Sequence, residues 1–254
     1  MINVLGTIFY FLFLFVFLIV YFPIFALIWL VTLPFDPKKV VLHQASCFLS
    51  MMIIRICPLW SIHVSGKEFI DKKQSYVIVS NHQSMLDIPL MVNVPLNFKW
   101  VSKKEVYKMP IFGWVLWLRD DIGIERGGLT STKKMLYKCK HFIEKGLSIV
   151  IYPEGTRSKT GRVNAFKEGG FIVAKSSNVP ILPVVIDGTW VVSNHMGIGL
   201  KMPNRLSLTI LEPIPASEVK RLSLKELTQL AHDRILSVHK TLSPDLYEEE
   251  EKKA

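Results

Sequence analysis

Residues 75–87 have the sequence SYVIVSNHQSMLD, in which an apolar run changes to polar residues at Asn81. The first six residues are almost wholly apolar, which is typical of a strand that is buried on both faces near the middle of a sheet. In open α/β sheets, ligands bind beyond the carboxyl ends of the strands. The stretch therefore predicts an α/β fold with a functional site that begins at Asn81.

The remainder of the chain from residue 61 alternates between strand and helix patterns. Further strands are predicted at residues 61–64, 98–102, 122–124, 147–152, 181–186 and 205–211, the last as an edge or late strand. Helices are predicted at 84–94, 130–145, 166–177 and 223–242, with one or two short helices in 103–118 around Pro110. This alternation predicts an α/β domain with a mixed, largely parallel sheet flanked by helices.

The N-terminal segment has a different composition. Residues 1–35 contain no Asp, Glu, Lys, Arg or His, and 29 of the 35 are apolar, with Pro23 interrupting the run. About 20 apolar residues span a bilayer as a helix, so the segment is long enough to be embedded in a membrane. A signal peptide fits poorly, because no basic region precedes the run and no small-x-small cleavage site follows it. The first basic residues, Lys38 and Lys39, place the following domain on the cytoplasmic side.

Residues 40–59 form a second predicted helix that is apolar but interrupted by polar residues, and that ends at Pro58. Two arrangements remain open at this point, a two-helix membrane hairpin and a single span with a docked second helix. The predicted organisation is an N-terminal membrane motif over residues 1–60, an α/β domain over 61–244 and an acidic solvated tail over 245–254.

The charge of the chain favours an anionic partner. Its formal net charge is +10, and residues 36–244 hold 29 basic and 16 acidic residues, a difference of +13. An anionic membrane surface or an anionic substrate accounts for such a charge beside an apolar leader. Nucleic acid is disfavoured, because the basic residues are dispersed rather than grouped with stacking aromatic residues. Three scattered cysteines predict no disulfide framework, and no zinc-binding pattern is present, so we expect no metal.

His82 and Asp87 are the candidate catalytic pair. An acid about one and a half helical turns after a histidine can hold its Nδ1–H, which leaves Nε2 to take a proton from a hydroxyl group. A capping aspartate beside a surface histidine is the alternative explanation of the same spacing. Their position after a buried strand favours the catalytic interpretation.

A second polar cluster, PEGTRS at residues 153–158, follows the strand predicted at 147–152. Gly155 allows backbone N–H groups to approach an anion, and Arg157 offers a planar fork that suits phosphate. An ordinary turn with an incidental arginine is the alternative. Lys103 and Lys104, at the end of another strand, are a solvated pair unless an anion lies nearby.

In four blocks, the chain resembles the glycerolipid acyltransferases, and most closely the 1-acylglycerol-3-phosphate acyltransferases. Residues 81–87 resemble the H-x4-D block, 122–126 the block that ends in a substrate-binding arginine, 153–158 the third block and 179–184 the fourth. The resemblance covers roughly residues 66–190. In the second block, Asp120 stands where the family commonly has glycine, and Gly123 replaces a bulky apolar residue.

The resemblance implies acyl transfer from an acyl thioester to the sn-2 hydroxyl of 1-acylglycerol 3-phosphate, which gives phosphatidic acid. The donor is acyl-CoA or acyl-acyl-carrier-protein as a co-substrate, with no bound cofactor. His82, oriented by Asp87, deprotonates the acceptor hydroxyl, and no covalent intermediate forms. The remaining residues that the resemblance assigns to substrate binding or to holding its loop are Lys103, Arg126, Glu154, Gly155, Thr156 and Arg157.

Two kinds of alternative remain. Because the second block contributes to acceptor recognition in the family, its altered residues leave another lysophospholipid or glycerol 3-phosphate open as the acceptor. A membrane-tethered protein that binds anionic lipid without turnover is the other alternative. The His82 and Asp87 pair disfavours it, because binding alone favours additional Arg and Lys at that position.

Overall fold

The computed structural model describes residues 4–57, 60–125, 129–192 and 204–251. Within these ranges, seven strands form one sheet in the order β1-β7-β6-β2-β5-β3-β4. Neighbouring strands are parallel throughout, except for the antiparallel pair β6 and β7. The predicted mixed, largely parallel sheet is therefore confirmed. The strands are β1 Trp60–Ser65, β2 Val77–Ser80, β3 Phe98–Lys103, β4 Ile122–Ile124, β5 Ser148–Ile151, β6 Ile181–Asp187 and β7 Asn204–Ile210.

Helices cover both faces of this sheet. Short 3₁₀ turns are present at Lys67–Phe69 and Lys104–Lys108. The α-helices are α1 Val4–Thr32, α2 Val40–Arg55, α3 Asp87–Met91, α4 Phe112–Leu118, α5 Leu129–Glu144, α6 Gly169–Ser177, α7 Thr189–Val192, α8 Ala216–Arg221, α9 Leu224–Leu242 and α10 Asp245–Glu251.

The central strand β2 separates two hydrophobic cores by the alternation of its side chains. Ile78 packs on one face in a core that includes Ile54 of α2 and Leu90 of α3. Val77 and Val79 pack on the other face in a core that includes residues of α5, α6 and α9. All four residues of β2 are buried, as the apolar run in residues 75–80 predicts.

Several predicted elements differ in extent or position. The helix predicted at 166–177 begins only at Gly169. The strand predicted at 205–211 as an edge or late strand is β7, which is the last strand in the described chain and lies inside the sheet between β1 and β6. The helix predicted from residue 84 begins only at Asp87, because the preceding backbone N–H groups bond to the Asp87 carboxylate instead of continuing a helix. The segment predicted as a solvated tail is helical over Asp245–Glu251, and Tyr247 in it bonds to His239 of α9.

The N-terminal helices α1 and α2 form an antiparallel pair. The Tyr10 hydroxyl donates to the Ile53 carbonyl at 3.0 Å, and the Tyr21 hydroxyl donates to the Ala45 carbonyl at 2.6 Å. The helix α1 continues through Pro23 and is long and apolar enough to cross a membrane, whereas α2 has only 16 residues. Pro58, the predicted end of the second helix, lies outside the described residues, and α2 ends at Arg55.

A buried polar cluster holds α2 on the α/β domain. The Arg119 guanidinium donates to Ser46 Oγ at 2.5 Å, contacts His43 Nδ1 at 3.1 Å and pairs with the Asp121 carboxylate at 3.2 Å. Arg119 and Asp121 are almost completely buried, so each charge depends on the other. This cluster fixes the helix pair relative to the sheet.

The helix α4 extends the apolar surface of α1 onto the α/β domain. Trp114 packs on Phe22 with ring centres 5.1 Å apart, and Trp117 packs near Trp29 at 6.5 Å. An apolar cavity of about 650 Å³ opens between the two helices, and Trp117 is 67% exposed.

Candidate active site

The structure brings His82 and Asp87 into direct contact at the carboxyl end of β2. Nδ1 of His82 donates to Asp87 Oδ2 at 2.6 Å. The aspartate side chain is fully buried, whereas the histidine side chain is 15% exposed. The buried Asp87 carboxylate therefore holds Nδ1 of His82, and the other ring nitrogen, Nε2, faces the surface.

Three further donors fix the Asp87 carboxylate. The backbone N–H groups of Gln83 and Ser84 donate to Oδ2 at 2.6 and 2.9 Å, and the Thr189 hydroxyl donates to Oδ1. Asp87 thus binds local backbone as a capping residue does, and it binds His82 as well. Because four donors surround it, its orientation is set independently of the substrate.

The loop after β5 holds the backbone of His82 on both sides. Glu154 Oε1 accepts the His82 N–H at 2.8 Å, and the Ser158 N–H donates to the His82 carbonyl at 2.8 Å. Tyr152 stacks on the imidazole with ring centres 4.1 Å apart and planes inclined by 15°. The first and third sequence blocks therefore meet because β2 and β5 are adjacent parallel strands.

Glu154 is a buried acid that acts on the loop and on His82. Its second oxygen accepts the Asn164 side-chain amide. Burial raises the pKa of the Glu154 carboxyl to about 7, although the hydrogen bonds from His82 and Asn164 lower it in part. Glu154 therefore changes charge near neutral pH at a position that supports the His82 backbone.

The glycine of the third block has a specific conformational role. Gly155 has a φ of +72°, in the region that favours glycine, and a Cβ atom there would lie 3.0 Å from Lys167 Nζ. Lys167 also donates its backbone N–H to the Pro153 carbonyl at 2.9 Å. A cation thus stands directly beside this loop. Thr156 and Arg157 are exposed at the loop surface.

The structure places Lys103 less directly. Lys103 is the last residue of β3, two strands from β2, and it is exposed. Strand alternation puts its side chain on the face of Val101, whereas Trp100 shares the face on which Tyr152 stacks. A Lys103 ammonium must therefore pass around the end of β3 to approach His82, and its role stays a prediction.

The two departures in the second block have local structural causes. Asp120 has a φ of +56°, in the left-handed region that glycine adopts most readily and that aspartate tolerates. A Cβ atom on Gly123 would lie 3.0 Å from the ring of Tyr107, so this ring occupies the space of a larger side chain. Arg126, the predicted end of this block, lies outside the described residues.

Four residues at the site were not singled out by sequence reasoning, namely Gln83, Tyr152, Lys167 and Thr189. Tyr152 and Thr189 follow the strands β5 and β6, so the rule that identified His82 also points to them. Gln83 lies inside the first block beside His82. Lys167 has no such position, and only the folding of the loop after Pro153 brings it to Gly155.

Comparison with known proteins identifies the class. A sequence model of the family described as Acyltransferase matches residues 61–187. Over 216 residues, the chain is 30% identical to the 1-acyl-sn-glycerol-3-phosphate acyltransferase of Escherichia coli (strain K12), covering 82% of each chain. Over 200 residues, it is 31% identical to the chloroplastic 1-acyl-sn-glycerol-3-phosphate acyltransferase LPAT1 of Arabidopsis thaliana, covering 78% of this chain and 55% of that protein.

The fold agrees with this relationship. The crystal structure of the 1-acyl-sn-glycerophosphate (LPA) acyltransferase PlsC from Thermotoga maritima superimposes with a TM-score of 0.75, covers 95% of this chain and 96% of that chain, and is 22% identical. This chain spans about half the length of the Arabidopsis thaliana and Brassica napus relatives. The chain therefore belongs to the acyltransferase family that includes the 1-acyl-sn-glycerol-3-phosphate acyltransferases.

Proposed function

We propose that this protein is a membrane-bound acyltransferase that transfers an acyl chain to the sn-2 hydroxyl of 1-acylglycerol 3-phosphate and forms phosphatidic acid. The observation that carries the proposal is the 2.6 Å hydrogen bond between His82 Nδ1 and Asp87. It leaves Nε2 as the ring nitrogen that accepts a proton. The relatives named for this reaction support the choice of acceptor.

The reaction needs one base and no protein nucleophile. Nε2 of His82 takes the proton of the acceptor hydroxyl while the hydroxyl oxygen attacks the carbonyl carbon of the thioester. The tetrahedral intermediate then expels the thiolate, and Nε2 gives the proton to this leaving group. The products are the new ester and a free thiol. Backbone N–H groups near Gly155 are the proposed donors to the negative oxygen of the intermediate.

Cations at the loop after β5 account for an anionic acceptor. Arg157 is exposed on the loop that holds His82, and Lys167 lies against Gly155 of the same loop. A phosphate bound by the two would place the glycerol hydroxyl near His82. Lys103 and Arg126, which the family resemblance assigns to the same role, are the further proposed phosphate ligands.

The donor is proposed to be acyl-CoA or acyl-acyl-carrier-protein, used as a co-substrate without a bound cofactor or metal. A thioester is already activated toward attack, which is consistent with a site built around a single His–Asp base. Testing both donors at equal concentration with the same acceptor determines which one the protein uses.

A membrane location follows from the lipid acceptor and from α1. The helix α1 exposes many of its large apolar residues, and Trp117 on α4 continues this apolar surface. Lys38 and Lys39 after α1 support placement of the catalytic domain on the cytoplasmic side. Protease access to this domain in sealed inside-out vesicles tests that orientation.

The experiment that tests the function is an acyl-transfer assay of the full chain in detergent with a panel of acceptors. The panel contains 1-acylglycerol 3-phosphate, glycerol 3-phosphate and lysophospholipids with choline or ethanolamine headgroups. We expect phosphatidic acid as the main product. Preferred acylation of another acceptor would replace the proposed substrate, and binding of 1-acylglycerol 3-phosphate without any transfer would support a lipid-binding protein instead.

A further inference from the structure

A second histidine, His239 on α9, is connected to the catalytic pair by a chain of polar contacts. Gln83 Nε2 lies 2.8 Å from His239 Nε2. At the other end of the same amide, Gln83 Oε1 lies 3.1 Å from the Thr189 hydroxyl. That hydroxyl also contacts Asp87 Oδ1. The contacts therefore run from α9 to the acid that orients His82.

This polar chain is shielded from water. Gln83, Thr189 and His239 are each at most 1% exposed. A buried polar atom that loses its partner cannot replace it with solvent, so each contact constrains its neighbour. The Thr189 hydroxyl has a single proton, and Gln83 Oε1 and Asp87 Oδ1 both lie within reach of it as acceptors. The position of the Gln83 amide, which His239 contacts, therefore acts on the hydrogen bond from Thr189 to Asp87.

The hydrogen bonds define how the Gln83 amide is oriented. Its NH₂ group donates to the Gly161 carbonyl at 2.9 Å and to Nε2 of His239. In this arrangement Nε2 accepts, and Nδ1, 2.8 Å from the Tyr247 hydroxyl, carries the proton of His239. Asp187 Oδ1 lies 3.5 Å from the same Nε2. Burial lowers the pKa of His239 and so favours the required neutral ring, although Asp187 opposes this shift.

The C-terminal helices hold His239 in place. The Tyr247 hydroxyl on α10 accepts the Val163 N–H at 3.2 Å, and Ser243 Oγ donates to Asp187 Oδ1 at 2.6 Å. Asp187 ends β6, two residues before Thr189. The end of β6 and the C-terminal helices, which are far from the first block in sequence, therefore meet next to His239.

We propose that Gln83 and His239 are positioning residues that hold Thr189 and Asp87 in the geometry required for catalysis, so that the C-terminal helices form part of the active site. Neither residue needs to contact the substrate. The effect on turnover rests on the proposed acyl transfer, whereas the effect on the His82–Asp87 hydrogen bond does not.

Three substitutions at His239 separate its contacts. His239→Gln places an amide acceptor where Nε2 stood, and His239→Asn retains only a group near Nδ1, which faces Tyr247. His239→Leu removes both. We expect kcat to fall about tenfold in His239→Leu and His239→Asn, which corresponds to one lost buried hydrogen bond. In His239→Gln, most of kcat should be retained, and KM for both substrates should change by less than about twofold in all three.

Ile235→Ala on the same helix is the packing control, because Ile235 lies one turn before His239 and is buried among apolar residues of the core that includes α5 and α6. It should lower the melting temperature and leave kcat of the folded protein unchanged. If kcat falls equally in His239→Gln and His239→Leu, packing alone explains the loss and the proposal is overturned. A loss of the same size in Ile235→Ala would have the same consequence. An unchanged kcat in His239→Leu would also overturn it.

A second measurement does not depend on activity. The Nδ1 proton shared by His82 and Asp87 should give a far-downfield proton NMR resonance that is absent in Asp87→Asn. We expect this resonance to shift or broaden in His239→Leu and to be retained in His239→Gln. An unperturbed resonance in His239→Leu contradicts the positioning role, even if the wild-type protein acylates none of the tested lipids. Absence of transfer by wild-type protein contradicts the proposed function alone.

Discussion

Asp87 Oδ2 lies 2.6 Å from Nδ1 of His82, and the same oxygen also accepts the backbone N–H groups of Gln83 and Ser84. The acid is therefore fixed by the loop that separates it from the histidine. Because the loop closes on Asp87, α3 begins there and not at residue 84. The five-residue separation of His82 and Asp87 is thus the spacing that this compact loop needs in order to close.

The first prediction concerns the base. His82→Ala should lower turnover by a factor on the order of 10³ or more, and Asp87→Asn should cost somewhat less, because the imidazole remains. Melting curves in detergent should show both variants folded. His63→Ala, at an exposed position on the edge strand β1, is the control and should keep full activity. A loss of less than tenfold in His82→Ala would remove His82 from the catalytic role.

The second prediction concerns the phosphate. Arg157→Ala and Lys167→Ala should each raise KM for the lysophospholipid, while KM for the acyl donor changes little. Arg157→Lys should recover only part of the loss, because an ammonium group cannot reproduce the bidentate fork of arginine. Lys159→Ala, an exposed position on the same loop, is the control. Equal changes in KM for both substrates would argue against a phosphate site.

The third prediction concerns Glu154 and pH. Its pKa is raised by burial from the usual 4.5 to about 7. Between these values the folded protein keeps a proton that the unfolded chain has lost, so stability falls as pH rises through this window. The loss attributable to this group is about 3 kcal/mol at most.

Glu154→Gln removes this titration and keeps an acceptor for the His82 N–H. The difference in melting temperature between Glu154→Gln and wild type should therefore grow in favour of the variant from pH 5 to pH 8. Glu105→Gln, at an exposed position, should follow the wild-type curve. A constant difference across this range would exclude the raised pKa.

The fourth prediction concerns the second block. Gly123→Val should destabilise the protein, because its side chain meets the Tyr107 ring, which lies 3.0 Å from a Cβ atom at this position. Tyr107→Leu should restore part of the stability of Gly123→Val and should lower that of the wild type. A double-mutant cycle of melting temperatures measures this coupling. Additive effects would show that Tyr107 is not the reason for glycine here.

The sequence by itself determined the architecture and the pairing of His82 with Asp87. Apolar runs such as residues 75–80 are long enough to require burial on both faces, and a polar residue that follows such a run stands at the ligand-binding edge. His82 and Asp87 were identifiable because their contact is local, across five residues of one loop. The apolar composition of residues 1–35 likewise determined a long N-terminal helix.

Only the tertiary structure decided which distant groups support that pair. Lys167 reaches Gly155, and His239 reaches Gln83, through loop and helix packing whose partners are 12 and 156 residues apart in the chain. The contact between Tyr247 and His239 likewise holds the acidic C-terminal segment, which is helical, against the domain. Periodicity records whether a residue is buried, but the partner that a buried polar group finds depends on how separate elements pack, and local sequence does not encode this.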